Sequence, residues 1–121
     1  MIDAKDLQKA YEEKMSDRDK SIINEFENFI DRQLVKTNGK SKITKWDFLM
    51  VVDKAIGGLT TKDYIIFKKA FENVYLHYYT EEATLLRYIL KKYRDGGYLV
   101  ESIRGNYLLK PYRNEIIFID K

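Results

Sequence analysis

The sequence predicts an α+β domain, with about four to five helices followed by a C-terminal three-stranded antiparallel β-meander. Three observations carry this. Apolar residues recur at spacings of three and four as far as residue 95, the mark of amphipathic helices. Ser, Thr and Asp precede these stretches and Asn-Gly or Gly-Gly follows them, as helix caps and stops require. Beyond residue 97 the pattern changes to short apolar runs separated by turn residues.

The first helix is expected over about residues 3–15, with Leu7, Ala10, Tyr11 and Met15 at helical spacing. A second follows over about 17–35. Ile22, Ile23, Phe26, Phe29, Ile30 and Leu34 give it an apolar stripe. Ser16 or Asp17 would cap it, and one continuous helix over 3–35 is the alternative. Thr37-Asn38-Gly39 stops it, because Asn and Gly accept the left-handed conformation. Residues 41–44 read as a short extended piece. Thr44, with Asp47 three positions on, forms a weaker capping box for a third helix carrying Phe48, Leu49, Val52, Ala55 and Ile56. Gly57-Gly58 end it.

Thr60 and Asp63 repeat the cap for a fourth helix, whose Tyr64, Phe67, Phe71, Val74 and Tyr78 share one face. Thr80 caps a fifth, with Glu81 and Glu82 suited to its positive end and Leu85, Leu86, Ile89, Leu90 and Tyr93 facing the core. Asp95-Gly96-Gly97 terminate it. Strands are expected over 98–103, 107–110 and 115–119, joined by Arg104-Gly105-Asn106 and by a turn beginning at Pro111. A three-stranded meander is marginal alone, so the helices must cover one face of it.

The chain of 121 residues is one domain, 1–121, able to bury a core without staples. It has no cysteine, hence no disulfide or thiolate chemistry. No apolar run approaches the ~18 residues of a membrane span, and residues 1–20 lack the apolar core of a signal peptide. The expected setting is cytoplasmic, with no membrane partner. His77 is the single histidine, so no strong transition-metal site and no cofactor is expected. No serine sits in a nucleophile-elbow context. The glycine pairs lack the spacing and the Lys-Ser/Thr of a phosphate loop. Catalytic residues are therefore expected to be absent and the protein not to be an enzyme.

The net charge is +3, and from Leu85 onward eight cations face four carboxylates, which concentrates the basic excess in the last third. Arg87, Lys91 and Arg94 fall on one helical face by their spacings of four and three, and they could approach Arg104 at the hairpin tip. A helix followed by a hairpin resembles the second half of a winged helix. Arg87, Lys91, Arg94, Arg104, Lys110 and Arg113 would then neutralise phosphates, and Tyr98, Tyr107 or Tyr112 would stack on bases. The plainer reading is that Lys and Arg supply the helix with a solvated face. Ten tyrosines are the other peculiarity: Tyr is favoured at interfaces, and it also fills half-buried positions of small cores.

The layout resembles small accessory proteins of tailed bacteriophages. The opening Met1-Ile2-Asp3-Ala4-Lys5-Asp6-Leu7 carries the likeness, with the helical stretch from Ile23 to Leu34 and the Gly39-Lys40 turn. So do Gly97-Tyr98-Leu99-Val100 and Gly105-Asn106-Tyr107-Leu108 near the C-terminus. The resemblance implies a viral setting, the host cytoplasm, and a small non-enzymatic protein that binds or inhibits a host factor. The first expectation is thus a protein-interaction module, with another protein as partner and a homodimer left open. The alternative is a winged-helix-like nucleic-acid binder.

Overall fold

In the computed structural model, residues 3–74 and 80–111 are described, and they form five helices and three strands. Helix α1 spans Ala4–Glu13 and helix α2 spans Asp17–Lys36, so the N-terminal stretch is two helices. Ser16 separates them: its side chain accepts from the Asp19 amide at 3.1 Å and satisfies an orphan donor at the start of α2. On α2, Ile22, Phe26, Ile30 and Leu34 repeat every four residues and are buried. Asn38 then turns left-handed, at φ +58, and the Gly39 amide donates back to the Leu34 carbonyl at 2.7 Å, a Schellman closure.

Strand β1 (Ser41–Ile43) leads into helix α3 (Lys45–Ile56). The Thr44–Asp47 capping box is complete in both directions, at 3.1 and 3.0 Å. Gly57 is left-handed, φ +78, and ends α3. Thr60 caps helix α4 (Thr61–Glu72), and Thr80 caps helix α5 (Glu81–Asp95). The apolar stripe of α4 had suggested a helix running to Tyr78. Instead the helix ends at Glu72: the Asn73 amide makes the last i−4 bond, to the Lys69 carbonyl, and the Asn73 side-chain Nδ2 competes for the same acceptor. Tyr78 lies outside the described residues.

Strands β2 (Tyr98–Ile103) and β3 (Asn106–Pro111) form a hairpin around Arg104-Gly105, both at positive φ, as a two-residue primed turn requires. The third strand of the sheet is β1: Ser41 pairs with Leu109 and Ile43 with Tyr107, antiparallel. The order is β1-β3-β2, which makes β3 the central strand. The strand expected at residues 115–119 lies outside the described residues.

The core joins the helices to the sheet through aromatic contacts. Phe48 of α3 lies 5.3 Å from Phe26, 6.1 Å from Phe67 and 5.5 Å from Phe71, between ring centroids. Phe71 meets Tyr107 of β3 edge-on at 4.7 Å. Leu86, Ile89 and Leu90 of α5 close the other side. No buried side-chain polar atom among the described residues lacks a hydrogen-bond partner.

Candidate functional site: a groove between α1 and α5

Among the described residues, the basic side chains singled out in the sequence line more than one place on the surface. Arg87 is half-buried. Its guanidinium donates to the Val74 carbonyl at 3.0 Å and to the Thr84 hydroxyl at 3.2 Å, which ties α5 to the end of α4. Lys91 is exposed on the α1 side of α5. Arg94 is exposed in the last turn of the same helix. Tyr98 packs on the opposite side of α5, its ring 5.9 Å from that of Tyr93, in a cleft with Glu27 and Asp31. Lys110 is half-buried on the sheet, 3.9 Å from Glu101 of the neighbouring strand. Arg104 stands exposed at the hairpin turn. Tyr112 and Arg113 lie outside the described residues.

Tyr107 is in the core. It is 4% exposed, and its hydroxyl donates to the Phe71 carbonyl at 2.6 Å, so it offers no surface for stacking. The cause is the position of β3: with β1 on one edge and β2 on the other, inward residues of β3 are covered by the helices. His77 also lies outside the described residues. Among the described residues no group of three or more His, Cys, Asp or Glu is placed to hold a metal ion. No described helix is long and apolar enough to cross a membrane.

Arg87 and Lys91 do share one feature, a groove of about 490 Å³ between α1 and α5. The first turn of α1 is anchored by Asp3, whose carboxylate accepts from the Lys5 amide. Farther along α1, Tyr11 lies 5.1 Å from Tyr88 of α5, ring to ring. The Tyr88 hydroxyl donates to the Glu12 carboxylate. Leu7, Ala10, Tyr11 and Tyr88 give the groove an apolar lining, and Leu7 is 61% exposed. Lys14, Arg87, Lys91 and Lys92 also line it, and no carboxylate does. Lys92 is engaged by Glu27 at 2.7 Å with its Nζ 5.7 Å from the centre of the Tyr88 ring.

The tyrosines here are chemically locked in the neutral form. Burial, then the hydrogen bond to Glu12 and its negative charge, push the Tyr88 phenol well above its ordinary value of 10. Burial, with Asp19 and Glu81 nearby, raises Tyr11 in the same direction. On the far side of α5, Tyr93 is raised by burial and by donation to Asp31 Oδ1 at 2.7 Å. The Tyr88 and Tyr93 hydroxyls are thus donors with fixed carboxylate acceptors.

Sequence reasoning found Arg87 and Lys91 from their spacing but missed Tyr88 and Leu7 as groove residues. The signal was present: Tyr88 sits one position from Arg87, off the core stripe, and α1 is too polar to bury both of its sides. No family model matches the chain, and no curated protein or solved structure matches it significantly.

Proposed function

We propose that the protein is a non-enzymatic interaction module that takes an acidic, amphipathic segment of another protein into the α1–α5 groove. The observation that carries this is the groove's composition: an apolar lining of Leu7, Ala10, Tyr11 and Tyr88, four cations, and no carboxylate. Apolar anchors of a partner would cover the exposed Leu7 and the tyrosine edges, and its acidic side chains would meet Lys14 and Lys91. The phage-like layout of the sequence fits a binder of a host factor.

The test is affinity capture from nuclease-treated bacterial lysate with the wild-type protein, Leu7→Asp and Lys91→Glu. A dominant protein retained by the wild type and lost with both variants is the expected result. Equal retention by all three would overturn the groove as the docking site.

One observation favours a second reading, nucleic-acid binding. The short strand β1, between α2 and α3, pairs with β3 of the C-terminal hairpin, and the resulting order β1-β3-β2 resembles that of winged-helix folds. The cations that this reading uses are those near the hairpin turn, where Arg104 and Lys45 line one cleft.

A further inference from the structure

We propose that the cleft between the β2–β3 turn and the N-terminal end of α3 binds an unpaired base of single-stranded nucleic acid. Trp46 is the stacking platform and Arg104 meets a flanking phosphate. The inference rests on the second reading above and names its site. Trp46 is the single tryptophan of the chain and is 61% exposed, at the start of a helix whose core side is already filled by Phe48, Leu49 and Val52. Packing gives no reason for a large aromatic there. The Lys45 ammonium lies 5.3 Å from the ring centroid, a cation–π contact that orients the indole.

Arg104 makes the second half of the argument. It occupies the left-handed position of a primed turn, φ +53, where Asn, Asp or Gly is the residue the backbone favours. The turn itself therefore does not explain an arginine. Its side chain is exposed and has no ion pair among the described residues. Arg104, Lys45, Trp46, Ser102 and Asn106 line one cleft of about 490 Å³. Glu72 lines it too and pairs with Lys45 at 3.7 Å, so the net cation of the cleft is Arg104.

An open aromatic surface, one uncancelled guanidinium and small polar groups match a nucleotide: a π-face, a phosphate and a base edge. A duplex keeps its internal bases stacked on both faces, so along its length it does not offer that face. With one or two phosphate contacts on a single strand, log K should fall against log salt with a slope near −1, from ~0.7 per contact.

The experiment titrates the full chain with an unlabelled oligothymidylate single strand, following Trp46 emission, and in parallel with a labelled copy, following anisotropy. A duplex of equal length is the comparison. The expected result is quenching of Trp46 with the same midpoint as the anisotropy rise. Trp46→Ala should weaken binding roughly 5- to 150-fold, the ~1–3 kcal/mol of one base stack, with Trp46→Phe in between. Arg104→Ala should flatten the salt slope. Absence of binding by anisotropy at low salt overturns both the cleft and the nucleic-acid reading. Binding with unchanged Trp46 emission, or unchanged by Trp46→Ala, overturns the cleft alone. Equal quenching by duplex overturns the assignment to an unpaired base.

Discussion

Replacing Tyr107 by Phe isolates one bond that ties the sheet to the helices. The Tyr107 hydroxyl donates to the Phe71 carbonyl at 2.6 Å, from the central strand to the last turn of α4. Carbonyls in a last turn have no partner within their helix. At 4% exposure water does not replace the donor. Tyr107→Phe keeps the edge-on ring contact with Phe71 at 4.7 Å, so the change removes a donor and little volume. The lost bond is worth ~0.5–1.5 kcal/mol net, and a stranded buried acceptor adds to it, for about 1–2 kcal/mol in all. Tyr107→Ala also opens a cavity and should cost about 3–5 kcal/mol. Urea unfolding, followed by far-ultraviolet circular dichroism and by Trp46 emission, reads both. The Phe variant should lower the midpoint by roughly 0.5–1 M with an unchanged slope. A Phe variant as stable as wild type, or as unstable as the Ala variant, would refute the reasoning.

Three further outcomes follow from local geometry. Thr44→Ala removes the acceptor for the Asp47 amide in the α3 capping box and should cost ~1 kcal/mol in urea unfolding, with no change in the midpoint expected for Thr61→Ala. Gly39→Ala should destabilise by roughly 1–2 kcal/mol, since Gly39 sits at φ +102. Its Cβ would also lie 3.0 Å from Pro111 Cγ, so adding Pro111→Ala should restore only the steric part, read by the same midpoints. Tyr88 and Tyr93 have folded pKa values raised above 10, so their contribution to stability is whole below pH ~10 and is lost as pH rises toward the folded values. Unfolding midpoints should therefore hold up to pH ~10 and fall as pH rises above it, less steeply for Tyr93→Phe; an equal fall in both proteins would count against it.

The legible parts of the fold are those in which a side chain answers its own neighbourhood. Ser16, Thr44, Thr60 and Thr80 cap helices through amides three residues on, and Asn38 and Gly57 end helices by their own backbone preference. Five helices and the hairpin could be read from these and from periodicity. The end of α4 was less legible, because Asn73 competes for the Lys69 carbonyl while the apolar spacing continues past it. The partner of β3 was not legible at all. Ser41–Ile43 is three residues long and pairs with residues 107–109, far along the chain, so no local pattern records it. That pairing makes β3 central and Tyr107 a core residue, which is why a tyrosine read as a contact is buried.

The same distinction governs charge. Spacing placed Arg87, Lys91 and Arg94 on one helical face, yet spacing does not show what each cation already holds. Arg87 is committed to Val74 and Thr84, Lys92 to Glu27, and Lys110 to Glu101. Among the described residues of the basic C-terminal third, Lys91 and Arg104 have no ion pair, and they line separate sites. Each stands near exposed aromatic surface, Tyr88 in the groove and Trp46 in the cleft. If a partner binds at either place as proposed, ring contacts and shape supply most of the recognition, with one or two charges aiding orientation. A shallow salt dependence is the consequence. A slope near −3 or steeper for any anionic partner would mean four or more phosphate contacts on a single strand, and hence that the C-terminal cations act together as one face.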